Sequence, residues 1–128
     1  MNTAVNALLV LFLVYASLCA YVYFAQPRLV FFPRPTIGQT PADRGLAYED
    51  VRMNTLDGET IHGWYIPVKR AAKHVLFLHG NAGNISDRWN TIAVLNGMGH
   101  AVLIVDYRGY GYSSGRPSEA GTYLDALT

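Results

Sequence analysis

The chain has 128 residues, 51% hydrophobic and 15% charged, with a formal net charge of +1. So apolar a composition excludes a disordered chain, and a balanced charge without any Lys/Arg run excludes a nucleic-acid binder. The single cysteine, Cys19, excludes a disulfide framework and a Cys-based metal site. His62, His74, His79 and His100 lack ligand spacing, so no metal and no cofactor is expected. His62, His74 and His100 are read as solvated or satisfied within the core.

Residues 4–25 are apolar apart from Asn6, Ser17 and the tyrosines. As a helix they span roughly 33 Å at ~1.5 Å per residue, enough for a hydrocarbon core of ~30 Å. Tyr15, Tyr21 and Tyr23 gather toward one end, as interfacial aromatics do. Pro27 and Arg28 are expected to end the run. A cleavable signal peptide needs a positive start, and the first seven residues carry no Lys or Arg. The segment therefore reads as an uncleaved anchor whose partner is the lipid bilayer. Arg28 and Arg34 follow it, and the positive-inside rule places the C-terminal side in the cytoplasm.

Residues 26–45 read as a Pro-rich linker, with Pro27, Pro33, Pro35 and Pro41 around the apolar stretch Leu29, Val30, Phe31 and Phe32. Those apolar residues fit either a membrane surface or the face of the following domain, assigned to residues 46–128. From Tyr48 to Leu56 the pattern alternates, with Val51 and Met53 on one face and Arg52 and Asn54 on the other. Asp57-Gly58 signals a two-residue hairpin turn, and residues 59–68 read as the returning strand.

Val75, Leu76, Phe77 and Leu78 form a continuous apolar run, the signature of a strand buried on both faces. The Gly-rich turn His79-Gly80-Asn81-Ala82-Gly83-Asn84 follows. Ser86 is expected to cap the next helix, with Asp87 favoured by its dipole. Trp89, Ile92, Leu95 and Met98 recur at helical spacing as a core-facing stripe, and Gly97 and Gly99 close the helix. Residues 101–105 form a second buried strand ending at Asp106. A strand, helix and strand in this order predict parallel strands with a right-handed crossover. Ser118 and Glu119 then open another helix. An antiparallel hairpin leading into parallel β-α units is the order in which an α/β-hydrolase domain begins.

The run ending in His79-Gly80-Asn81-Ala82-Gly83-Asn84, the run Asp106-Tyr107-Arg108-Gly109-Tyr110-Gly111, and the upstream His62-Gly63-Trp64-Tyr65 resemble the membrane-anchored bacterial α/β-hydrolases of the Bem46-like and serine-aminopeptidase-like groups. The resemblance covers essentially the whole chain as the N-terminal portion of such a protein. It implies a single-pass protein of a bacterial inner membrane and a serine hydrolase acting on small-molecule esters, thioesters or amides once complete. It further implies that the backbone N–H of Asn81, or of Ala82, donates to the oxyanion of acyl transfer, in a turn made tight by Gly80 and Gly83. His79, Asp106, Arg108 and Gly109 would brace the surrounding loops rather than react.

Gly111-Tyr112-Ser113-Ser114-Gly115 matches G-x-S-x-G by letter. A nucleophile elbow places its serine directly off a strand end and before a helix, with the acid and then the histidine downstream. Ser113 stands well past the strand end, Arg116-Pro117 follows it, and all four histidines precede it. Ser113 is therefore not assigned as nucleophile, no catalytic residue is assigned at all, and the chain alone is expected to be an inactive fragment. Two other readings of the residues stand beside this one. One is a membrane-tethered binding module without catalysis. The other is a dinucleotide-binding β-α-β unit with Asp106 as its acid, which lacks the G-x-G-x-x-G spacing because Leu78 occupies the first glycine position.

Overall fold

A computed structural model describes residues 2–128. Two compact units divide at Val30. The first is one helix, α1 (Thr3–Val30). It is long and apolar enough to cross a membrane, and its residues are exposed or half-buried. The helix runs on through Pro27 rather than stopping there. Proline deletes the N–H bond to the Tyr23 carbonyl and crowds that carbonyl, yet the helix continues three residues beyond it.

The second unit is built on a four-stranded sheet. Its strands are β2 (Glu49–Asn54), β3 (Thr60–Ile66), β4 (His74–Leu78) and β6 (Ala101–Val105), in the order β2-β3-β6-β4. Strands β2 and β3 pair antiparallel, β3 and β6 antiparallel, and β4 and β6 parallel. A short strand pair, β1 (Phe32–Pro33) with β5 (Ala82–Gly83), lies apart from this sheet and is parallel. The expected β-α-β unit is thus present, with α2 (Trp89–Gly97) as its crossover. The hairpin turn falls where Asp57-Gly58 put it, but its loop is longer than two residues. The Thr55 amide bonds the Glu59 carbonyl and the Gly58 amide bonds the Thr55 carbonyl, with Gly58 at φ 89°. This is a three-residue loop closed by a left-handed glycine.

Trp64, Ile66, Ile85, Ile92, Val102 and Ile104 form the core. Trp64 and Ile66 stand opposite Ile104 and Val102 on one sheet face, and Ile92 of α2 covers them. Each fully buried isoleucine stabilises the fold by about 1.5–3 kcal/mol. The stripe of α2 is only partly as expected: Ile92 is buried and Leu95 half-buried, but Met98 is 63% exposed. Met98 lies past the helix end, where the chain turns away through Gly99 at φ 80°. There the His100 amide bonds the Leu95 carbonyl and the Gly99 amide bonds that of Asn96, a Schellman closure. The expected cap is also displaced. Asn84, not Ser86, caps the 3₁₀ turn Ile85–Arg88 that leads into α2.

The opposite sheet face carries Met53, Leu76, Leu78, Leu103 and Val105. With residues of α3 (Glu119–Ala126) and Thr128 they line a cavity of about 230 Å³. Strand β6 is buried on both faces as expected, but β4 is not: Leu76 is 53% and Leu78 40% exposed. The reason is position. β4 is one of the two outer strands of the sheet in this chain.

Candidate functional site

The parallel register sets Leu78 beside Val105, so the residues that follow, His79 and Asp106, emerge side by side. His79 Nε2 lies 3.1 Å from Asp106 Oδ1, and both side chains are fully buried. The same Asp106 oxygen accepts the Ile85 amide at 2.9 Å. One carboxylate thus holds both ends of the turn formed by residues 79–85. His79 Nδ1 bonds the Gly80 carbonyl at 2.7 Å. The His79 ring packs against Tyr107 and Tyr110, with centroids 5.3 and 5.5 Å away.

The carbonyls of Gly80, Asn81, Ala82 and Gly83 are each held by a donor. Gly80 O accepts from His79 and Arg88, and Ala82 O from Arg88. Asn81 O accepts the Tyr110 hydroxyl at 2.6 Å, and Gly83 O accepts the Arg34 amide at 3.1 Å. Burial raises the Tyr110 hydroxyl pKa, so Tyr110 stays a donor through neutral pH. Gly83 has φ 78°, and a Cβ there would collide with the Asp87 carboxylate, so only glycine fits. Gly80 has no such need: its φ is ordinary and an added Cβ would meet nothing within 4 Å.

Arg108 and Gly109 lie apart from this turn. The Arg108 guanidinium joins Asp57 of the hairpin loop to Asp125 of α3. Gly109 has φ 77° and abuts Pro117. The hydroxyl of Ser113 donates to the Asp106 carbonyl at 2.7 Å and accepts the His62 amide at 2.9 Å. It sits in a bonded loop and not at a strand-to-helix junction. His62 is buried against Asp50 at 2.6 Å, and His74 is exposed beside Tyr65.

Sequence reasoning missed Asn84, Arg34, Asp57 and Asp125 as partners. Each acts across 17 or more residues of chain, as in Arg108 with Asp125, so periodicity carried no trace of them. Gly121 was the one available signal. A Cβ there would strike the Arg108 side chain, which is why a glycine stands inside α3.

An antiparallel hairpin beside a parallel pair, with a His-Gly turn at the end of one parallel strand and a carboxylate at the end of the other, defines the opening of an α/β-hydrolase fold. Residues 73–127 match the alpha/beta hydrolase fold family. The chain has this fold class, and the dinucleotide-binding reading of the same strands falls away.

An uncharacterized protein of Mycobacterium tuberculosis is 39% identical over 118 residues, covering 89% of this chain and 41% of that protein. An uncharacterized membrane protein of Saccharomyces cerevisiae is 38% identical over 115 residues, covering 84% of this chain and 39% of that protein. Among solved structures, an esterase of Pyrococcus furiosus is similar with a TM-score of 0.63 and 32% identity, over 77% of this chain and 40% of the esterase. The chain therefore spans about two fifths of the length of these relatives.

Proposed function

We propose that this chain is the N-terminal portion of a membrane-anchored serine hydrolase acting on small-molecule esters, thioesters or amides, and that the turn at residues 79–84 supplies its first oxyanion donor from the Asn81 or Ala82 amide. The observation that carries this reading is the clasp of Asp106 on His79 and Ile85, with the turn's carbonyls fixed by other donors. A turn held so rigidly fits the need for donors preorganised toward developing charge. His79 and Asp106 serve as braces, as Arg108 and Gly109 do for the neighbouring loop. Membrane anchoring through α1 draws support from the helix and from the relative named as a membrane protein; the single-pass, cytoplasmic C-terminal orientation rests on Arg28 and Arg34 after the apolar run.

No residue of this chain is assigned as nucleophile, acid or base; for Ser113, the serine of the G-x-S-x-G match, the reading draws support from a hydroxyl bonded to two backbone groups. A fluorophosphonate probe is expected to leave this chain unlabelled. Labelling that disappears in Ser113→Ala would sink the assignment. In a full-length hydrolase carrying these residues, Asn81→Pro removes the N–H and is expected to lower kcat about 10²–10³-fold with little change in KM. An unchanged kcat in both Asn81→Pro and Ala82→Pro would rule out the oxyanion role.

A further inference from the structure

Residues 32–38 belong to no strand of the four-stranded sheet, yet they are bonded to both loops of the candidate site. Phe32 and Pro33 pair with Ala82 and Gly83. The Arg34 amide donates to the Gly83 carbonyl at 3.1 Å, and the Arg34 carbonyl accepts the Gly111 amide at 3.0 Å. The Gly38 amide donates to Ser86 Oγ at 3.1 Å, and Arg34 pairs with Asp87.

At the centre stands Asn84, fully buried. Its Nδ2 donates to the Arg34 carbonyl at 2.9 Å and to the Thr36 carbonyl at 2.7 Å. Its Oδ1 accepts the Ser86 amide at 2.9 Å and the Ser86 hydroxyl at 2.6 Å. A carboxamide offers two N–H donors and two acceptor sites, and here all four are used. The donor half grips residues 34–36, and the acceptor half starts the helix. No other side chain of this length presents both halves: an aspartate lacks the donors and a leucine lacks everything.

We propose that residues 32–38 form a strap that sets the shape of the candidate oxyanion turn, and that Asn84 is the positioning residue that fastens it. Its bearing on catalysis rests on the oxyanion reading above, but the fastening itself does not. Phe31 alone separates β1 from Val30, the last residue of α1.

The test is amide exchange by NMR on the whole chain in detergent micelles, comparing it with Asn84→Asp. That substitution keeps the oxygen that caps the helix and replaces the donor nitrogen with an acceptor. At neutral pH the Arg34 and Gly38 amides are expected to exchange at least about tenfold faster, the Asn81 and Ala82 amide resonances to shift, and Val102 and Ile104 to stay protected. The new carboxyl faces carbonyl oxygens, which raises its pKa above ~3.9. As the pH is lowered toward about 5 it takes up a proton and regains one O–H donor, so protection corrected for intrinsic exchange partly returns.

Unchanged exchange at Arg34 and Gly38 overturns the strap. Faster exchange there with Asn81 and Ala82 resonances unmoved overturns its control of the turn. Should Asn84→Asp also expose Val102 and Ile104, Ser86→Ala decides, since it removes the acceptor of the Gly38 amide and one hydroxyl donor to Asn84 Oδ1 while keeping both Asn84 Nδ2 donors. Faster Gly38 exchange then supports the strap and unchanged exchange overturns it. A turn shaped by the strap but without effect on acyl transfer sinks only the oxyanion reading.

Discussion

Asp125 accepts the backbone amide of Arg108 at 2.9 Å through one carboxylate oxygen and the guanidinium of the same residue at 2.8 and 2.9 Å through the other. The far side of that guanidinium is bidentate on Asp57, at 2.8 and 3.1 Å. The hairpin loop, the loop after β6 and α3 are thereby joined through one cation. Asp125 has no side-chain exposure, so loss of Arg108 leaves a buried carboxylate uncompensated. Arg108→Met is expected to destabilise the folded chain by about 3–5 kcal/mol in chemical denaturation. Arg108→Lys should retain most of that loss, because an ammonium cannot reproduce the fork. A loss below about 1 kcal/mol for Arg108→Met would show that the three elements hold together without it.

The same network sets a pH dependence. Hydrogen bonds from Arg108 first, and from Thr55 second, hold the Asp57 carboxyl at about 2, below its usual 3.8. A pKa depressed by folding adds stability above the unfolded value and loses it as the pH falls through the folded one. The contribution is thus complete above about pH 4 and disappears toward pH 2. Melting temperatures of the wild type and Asp57→Asn should differ at pH 5 and converge by pH 2. A constant difference across that range would exclude the linkage.

The strands, the crossover helix and the parallel pairing were legible because each is written in local periodicity. Val75–Leu78 and residues 101–105 show it as short apolar runs, and Gly97-Met98-Gly99 shows it as a helix stop. Burial of β4 was misread because a run of four apolar residues looks the same in a central strand and an outer one. The pairing of His79 with Asp106 follows from parallel register, but neither residue type announces it. The strap was illegible for a different reason. Residues 32–38 have no side-chain pattern of their own and are held by backbone groups and by the distant side chains of Asn84, Ser86 and Asp87.

Gly63 lies in the middle of β3, opposite Val105. A Cβ there would come within 2.6 Å of the Ile104 carbonyl and 2.9 Å of Val105 Cγ1. Both neighbours belong to a strand buried on both faces, so neither has room to withdraw. Gly63→Ala is expected to cost about 1–3 kcal/mol through overpacking, despite alanine's easier fit to most strands. Equal denaturation midpoints for the two proteins would mean that β3 and β6 separate slightly without penalty.

Helix α1 predicts integral membrane behaviour. Its 28 residues reach ~42 Å at ~1.5 Å per residue, beyond a hydrocarbon core of ~30 Å. Membranes carrying the chain should retain it in the pellet after alkaline carbonate washing. Complete release into the supernatant would mean that α1 does not span.

Strand β4 carries the last prediction. It is one of the two outer strands of the sheet, and Leu76 and Leu78 stand exposed on the face that also carries Leu103 and Val105. Outer strands of soluble proteins are guarded by charge, proline or a bulge against pairing with another chain. The strand proper is His-Val-Leu-Phe-Leu, with its one polar residue, His74, at the start. Residues 31–128, expressed without α1, are therefore expected to associate or to adopt a loosely packed state, with concentration-dependent sedimentation and rapid exchange in Val75–Leu78. Leu76→Lys introduces a charge at a position already open to water, so it removes little packing while repelling an incoming strand. It should raise the monomer fraction at a given concentration and leave the melting temperature of the monomer within a few degrees. A wild-type domain that sediments as a monomer, unfolds in one sharp transition and protects Val75–Leu78 from exchange would show that the open edge is tolerated.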